Sequence, residues 1–152
     1  MKTIGQTIIK TVANLAATYA QGIQIGAVLA ITSSNETRES NSILLQQLNL
    51  IDSDKLGKKL KLQIFDAAIV DVGDGVAAAP TAAELTHLVD EISVSATDWN
   101  DKGAATVAIY KNLALTVASG TSRKFYVLVK ADESLTFTHV NALSIKPTFY
   151  SE

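Results

Sequence analysis

Residues 59–85, KLKLQIFDAAIVDVGDGVAAAPTAAEL, contain the pattern that decides the fold. Apolar and polar residues alternate over residues 59–64, which predicts a strand with one face in the core and one in solvent, as in antiparallel sheets. Phe65 ends this strand on the outward row, where we expect it to cover a loop. The segment 66–80 then predicts a loop that is unusually long for a compact domain.

A helix signal follows directly after Pro80. Thr81 and Glu84 have the spacing of a capping box, in which the threonine hydroxyl and the glutamate carboxylate each accept a hydrogen bond from the other's backbone N–H. The pattern predicts one short helix over about residues 82–89. The chain then returns to short alternating segments separated by turn residues.

Four other segments refine the prediction. Residues 23–31 alternate strictly and predict a strand. Residues 37–52 fit either a helix or a strand, and we favour a strand with a bulge near Leu44–Leu45. Residues 124–130 are apolar on both faces, which predicts a central strand that is covered on both sides. Pro147 has no N–H to donate, so the last strand is expected at an edge or at a bulge.

These signals together define the fold class. There are seven or eight short strands, one capped helix and no βαβ alternation, which predicts an all-β, single-domain antiparallel β-sandwich or barrel of jelly-roll type. We expect residues 1–16 to form an extended N-terminal arm or edge strand and residues 17–152 to form the β-sandwich domain.

Composition excludes several classes of protein. The 152 residues are 47% hydrophobic and 18% charged, typical of a folded domain, and 13 basic against 15 acidic residues give a net charge of −2. A nearly neutral chain provides no strong field for nucleic acid or anionic lipid, so neither partner is expected. The absence of cysteine excludes disulfides and thiolate metal sites. Polar residues interrupt the apolar N-terminal segments, which argues against a signal peptide or a membrane span.

The acidic loop is the first candidate for a chemical site. Asp66, Asp71 and Asp74 are spaced by five and three residues, whereas a calcium loop of the EF-hand type places acids at alternate positions. Gly73 and Gly75 flank Asp74 as in a tight turn, and the Lys and Ser of a P-loop are missing. We interpret the loop as part of the scaffold and expect no metal and no cofactor.

Catalytic groups are few. His139 can be drawn as a dyad with Asp132 or Glu133, and His87 lies on the predicted helix, but hydroxyl activation requires a defined base and orienting acid. We expect no catalytic residue and no enzymatic activity. Trp99 is interpreted as closing one end of the sandwich, with stacking on a ligand as the alternative. The lysines at 58, 59 and 61 are interpreted as a solvated strand face.

The order of these segments resembles a family of small virion structural proteins of tailed bacteriophages, over roughly residues 17–150. The resemblance lies in YAQGIQIGAVLAITSS, LNLIDSDKLGKKLKLQIFDA with the downstream AAAPTAAEL, ISVSATDW, and the stretch from KNLALTV to the final TFY. The matching positions are Tyr19, Gly22, Ile25, Gly26, Ile51, Asp52, Asp54, Leu62, Phe65, Pro80, Leu85, Trp99, Tyr126 and Leu143.

The resemblance implies an auxiliary or decoration protein on the surface of a capsid, made as a late protein in the host cytoplasm. The implied partners are the major capsid protein, neighbouring virion proteins and further copies of this chain in a homo-oligomer. A head-fibre, tail or receptor-binding module that recognises a host surface ligand is the alternative. The resemblance brings no catalytic residues with it.

Overall fold

The chain is built almost entirely from antiparallel strands, in a computed structural model that describes residues 4–33, 42–119 and 124–151. The elements, in chain order, are β1 (Ile4–Thr7), β2 (Lys10–Val12), β3 (Thr18–Tyr19), β4 (Leu29–Thr32), β5 (Ser42–Asp52), β6 (Leu60–Phe65), α1 (Ala82–Leu85), β7 (Leu88–Val94), β8 (Asn100–Asp101), β9 (Thr106–Tyr110), β10 (Leu115–Ser119), β11 (Lys124–Ala131), β12 (Leu135–Thr136) and β13 (Leu143–Ser151).

Two sheets form the sandwich. In the first, β1 and β2 pair with one edge of β13, β13 pairs with β5, and β5 pairs with β9 and β10. The second has the order β4-β11-β6-β7. If β1 with β2 and β9 with β10 are counted as single strands, and the short β3, β8 and β12 are set aside, the two orders read 1-8-3-6 and 2-7-4-5. This is the jelly-roll arrangement, which confirms the predicted fold class.

The core lies between the two sheets. Phe125 of β11 and Phe149 of β13 meet there edge to face, with ring centroids 5.7 Å apart, so one aromatic pair joins the sheets. Val127 and Val129 also face this core and are fully buried. Leu128 faces the opposite side and is buried as well, which confirms that β11 is covered on both faces.

The single predicted helix is present but shorter than expected. Thr81 accepts a hydrogen bond from the N–H of Glu84, whose carboxylate accepts one from the N–H of Thr81, so the capping box is confirmed. The helix nevertheless ends at Leu85, whereas the sequence predicted about residue 89. Leu88 already pairs with Phe65, and pairing with β6 replaces the remaining helical turn.

The ambiguous segment is a strand over Ser42–Asp52; its predicted residues 37–41 lie outside the described part of the chain. Its bulge lies at Gln46, one residue beyond the predicted site, where the pairing with β13 skips one residue. The edge position expected for Pro147 is wrong, because β13 lies between β2 and β5. Pro147 lies one residue before the register shift between Thr148 and Phe149, which is the other environment expected for proline.

Each of the four strand positions of the first sheet has a break or bulge, and these interruptions lie side by side across the sheet. Residues 8–9 separate β1 from β2, the register of β13 shifts after Thr148, β5 bulges at Gln46, and residues 111–114 separate β9 from β10. The N–H of Leu113 donates to the Gln46 carbonyl, which places the last two breaks side by side. We call this line the crease; bulges bend a sheet and increase its twist.

Candidate functional site

The long loop over residues 66–80 lies on the outer face of the second sheet. Three backbone hydrogen bonds join it to residues 22–24: from Gly75 N to Gln24 O, from Gln24 N to Val76 O, and from Ala78 N to Gly22 O, at 2.8–3.0 Å. Residues 23 and 25 are in turn bonded to β11. Residues 75–78 therefore add a short strand beside residues 22–24 at the edge of the second sheet, and the loop is a structured element.

Asp74 anchors this loop. Its carboxylate accepts a hydrogen bond from the Tyr19 hydroxyl, which lies 2.8 Å from both oxygens, and a second from the N–H of Gly26. Asp71 accepts hydrogen bonds from the Gln24 side chain at 2.6 Å and from the Gly73 N–H at 2.9 Å. Both carboxylates thus face donors of the chain itself.

Asp66 does not join them. Its carboxylate lies 2.9 Å from Nδ1 of His87, just beyond the helix. Within residues 4–33, 42–119 and 124–151, no group of three or more acidic, histidine or cysteine side chains is placed to hold a metal ion. Gly73 and Gly75 both have positive φ, as the predicted tight turn requires. The three acids therefore have structural hydrogen-bonding roles in the described chain.

Tyr19 is almost completely buried, with 1% of its surface exposed, and its ring meets Phe137 edge to face at 5.8 Å. Burial, followed by the hydrogen bond to Asp74, raises the pKa of Tyr19 to about 12. The same hydroxyl accepts a hydrogen bond from the Leu15 N–H at 2.9 Å. One phenol therefore fixes both the acidic loop and the segment that follows β2.

Gly26 explains why the strand predicted over residues 23–31 is interrupted. Its φ of +67° favours glycine, and a Cβ there would lie 2.7 Å from Cγ1 of Val12 and 2.9 Å from the Ala13 nitrogen. Only Leu29–Thr32 forms a regular strand, while Ile23 and Gln24 make isolated bridges. The sequence alternation is correct, but the backbone turns at Gly26 so that its N–H reaches Asp74.

A shallow pocket of about 130 Å³ lies between the acidic loop and the second sheet. Apolar groups dominate its lining, among them Ile69, Val72, Pro80 and Leu128. Val70 also lines it and is 69% exposed, while its N–H is held by Glu84 at 2.6 Å. Hydrogen bonds from the backbone N–H groups of Val70 and Thr81 lower the pKa of the Glu84 carboxyl group.

The dyad that can be drawn from the sequence for His139 differs from the contact in the structure. His139 contacts Asp54, with Nδ1 2.6 Å from Oδ1, whereas Asp132 pairs with Lys61 and Glu133 accepts from the Lys59 N–H. Burial raises the pKa of Asp54, but stronger combined hydrogen bonding from residues 138 and 139 brings it below its usual value. The pair clamps the turn after β5 to the loop before β13.

This arrangement does not have the geometry of a relay for nucleophilic attack. The Thr138 hydroxyl lies 3.0 Å from Nδ1 of His139, the same ring nitrogen that contacts Asp54. A hydroxyl–histidine–acid relay places the hydroxyl and the acid on opposite ring nitrogens. The histidine was visible in the sequence, but its partner lies 85 positions away, and no local signal indicated it.

Trp99 packs against the core at one end of the sandwich, and its indole N–H donates to the Lys58 carbonyl at 2.9 Å. Tyr110 donates to the Asp98 carboxylate beside it at 2.7 Å, and burial and this bond raise the pKa of Tyr110. The structure therefore gives Trp99 the closing position that the sequence predicted. Of the lysines, Lys61 lies 3.7 Å from both Glu91 and Asp132, on the outward face of β6.

No protein-family profile matches the chain, and no curated protein sequence matches it. Solved structures with some similarity include the tobacco streak virus coat protein, at 9% identity and a TM-score of 0.33, covering 97% of this chain and 84% of that one. Turnip yellow mosaic virus is similar at 14% identity and a TM-score of 0.36, covering 99% and 80%. TM-scores at this level establish no shared function. The described ranges contain no helix long and apolar enough to cross a membrane.

Proposed function

We propose that this chain is an auxiliary structural protein of a tailed-phage virion, which binds the outside of the capsid shell and cements neighbouring capsomers. The proposal rests on the sequence resemblance to small virion structural proteins. Its partners are the major capsid protein and neighbouring virion proteins. The described fold adds a rigid sandwich with structured loops that can present a binding surface.

One observation carries this proposal: residues that define the resemblance meet in hydrogen-bonded assemblies that hold the loops. Tyr19 and Gly26 bind the same Asp74 carboxylate. Asp52, which is 3% exposed, accepts hydrogen bonds from the backbone of residues 54 and 56, and Asp54 clamps the loop before β13. These four matching positions therefore act as structural anchors of loops, which supports a structural role for the chain.

The mechanism is mass action. A protein that binds the assembled lattice and not its separated subunits stabilises the lattice by its binding free energy. Each copy that spans two capsomers makes the second contact intramolecular, so individually weak contacts suffice. We assign the shell contact to the loop over residues 66–80, because Val70 and Val76 are 69% and 48% exposed there on a backbone held by hydrogen bonds.

The test is co-sedimentation of the purified chain with phage shells that lack it, followed by cryo-microscopy of the decorated particles. We expect saturable binding at many copies per shell and a weaker interaction for Val70→Asp. Val140→Asp, at a similarly exposed valine outside this loop, is the matched control. Absence of binding contradicts the proposal, and a few copies confined to a vertex or tail would support the alternative host-recognition module.

A further inference from the structure

We propose that β1 is an exchangeable strand, which leaves its own β13 and pairs with β13 of a second copy of this chain. The interaction surface is the β13 edge at Thr148–Ser151, and the partner is an identical chain. This inference does not depend on the proposed virion role, because purified protein is sufficient to test it.

The first observation is that β1 is held differently from β2. Gly5 and Thr7 are exposed and Gln6 is half-buried, whereas Val12 at the end of β2 is fully buried in the core. Among the described strands, β1 and β2 each pair with β13 only, and β1 does so through the register from Ile4–Ser151 to Thr7–Thr148. Segments with little buried surface open at low free-energy cost, so β1 can detach while β2 stays anchored.

The second observation is a hinge between the two strands at the crease. Ile8 donates to the Pro147 carbonyl over a long 3.3 Å, and Pro147 has no N–H to donate in return. Ile9 next to it is 62% exposed. Ile8 packs against the core with part of its side chain. A change of backbone angles around residues 8–9 lets β1 swing away from its own chain while β2 keeps its place.

The third observation concerns the acceptor. When β1 leaves, the edge of β13 from Thr148 to Ser151 opens, and a second copy supplies a strand of identical sequence to fill it. The same register, including the contact between the Thr7 and Thr148 hydroxyls at 3.1 Å, then forms between chains. Exchange of identical elements is a low-cost route to dimers, because the same contacts form in both states and only the hinge differs.

The absence of cysteine in the sequence allows a direct test by disulfide trapping. Thr7→Cys and Thr148→Cys are made as separate proteins, mixed, incubated at high concentration and oxidised. Neither variant can form a disulfide between positions 7 and 148 within one chain, so that linked peptide, identified by mass spectrometry, reports pairing between chains. Directly opposed residues of antiparallel strands have suitable spacing for a disulfide.

The matched control is a mixture of Thr18→Cys and Thr136→Cys. These threonines oppose each other in the β3–β12 pair with hydroxyls 2.8 Å apart, next to the buried Tyr19. We expect the peptide linked between positions 7 and 148 to exceed the control peptide, which is linked between positions 18 and 136. Its yield should also increase with incubation time and protein concentration. Equal yields in the two mixtures, at the level of random collision, overturn the proposal.

A variant in which β1 is cross-linked to its own β13 tests the exchange in a protein whose fold can be checked. Thr7→Cys combined with Thr148→Cys in one chain, oxidised at low concentration, closes β1 onto its own β13. We expect this protein to keep the circular dichroism spectrum of the wild type and to remain monomeric at concentrations where the reduced form dimerises. A reduced form that stays monomeric at every concentration tested also overturns the proposal.

Discussion

The hydroxyl of Tyr19 lies 2.8 Å from both carboxylate oxygens of Asp74, a residue 55 positions later in the chain. This contact fastens the acidic loop to the segment between β2 and β4. Because the acceptor is charged and the donor is buried, the hydrogen bond should stabilise the fold more than a neutral surface contact does.

The first prediction is that Tyr19→Phe lowers the free energy of unfolding by about 1.5–3 kcal/mol, the range for hydrogen bonds to charged groups. Combined with Asp74→Ala in a double-mutant cycle, it should give a coupling energy of about 1–3 kcal/mol. Urea denaturation measures both. Tyr126→Phe, which removes a phenolic hydroxyl from the outward face of β11, is the control, and purely additive effects of the pair would contradict the prediction.

The second prediction concerns alkaline pH. In the folded state the pKa of Tyr19 is raised to about 12 from its usual value of 10.0. As pH rises, the Tyr19 hydroxyl therefore loses its proton in the unfolded chain before it does so in the folded chain. The stabilisation is complete below about pH 10 and is lost progressively up to about pH 12. In Tyr19→Phe the slope of stability against pH in this window should be shallower by up to about 1.4 kcal/mol per pH unit. Denaturation at a series of pH values measures it; parallel slopes for both proteins would refute it.

The third prediction compares two glycines that both have positive φ. Gly22→Ala places its new Cβ where no atom lies within 4 Å, so it should cost only the backbone strain of about 1–2 kcal/mol. Gly26→Ala adds a clash with Val12 and the backbone of Ala13 and should cost clearly more. Thermal unfolding of the two variants gives the difference. Equal costs would show that strain alone explains Gly26.

The fourth prediction tests the contact between the two sheets. Phe149→Ala removes a fully buried ring and its edge-to-face contact with Phe125, and it should lower the free energy of unfolding by about 3–5 kcal/mol. Val140→Ala, at an exposed side chain, should change it by no more than about 0.5 kcal/mol. Chemical denaturation monitored by circular dichroism compares them, and a similar small effect at both positions would contradict the packing of the two sheets through this aromatic pair.

The sequence predicts the fold class well because its signals are local. The strand at Leu60–Phe65 and the capping box at Thr81 depend on near neighbours only, and both are present in the structure. The solvent-facing row predicted for that strand is wrong, because Gln63 and Phe65 on it are buried. The helix end was wrong because Leu88 pairs with Phe65, a contact between residues far apart in sequence. The position of β13 between two strands could not be inferred either. Pro147 lacks an N–H, but it lies opposite the break between β1 and β2, where no strand pairing requires that donor.

The candidate site was less accessible to sequence reasoning. The pattern of acids around Asp74 indicated a turn, but nothing local showed that Tyr19 and Gly26 would share that carboxylate. His139 illustrates the same point, because the nearby acids in the sequence were the wrong partners and Asp54 was the right one. The tertiary fold decides which donor lies next to each carboxylate. The spacing of residues in the sequence does not show which distant residues will be in contact.

The pairing of the acidic loop with residues 22–24 also affects how copies of this protein behave when crowded. The outward backbone groups of Gly22 and Gln24 are already engaged by Gly75, Val76 and Ala78, so residues 22–24 do not offer these groups to a foreign strand. Unpaired sheet edges promote pairing with strands of other chains and cross-β aggregation. Because the acidic loop covers part of this sheet edge, the chain gains protection against amyloid-like growth at high local concentration.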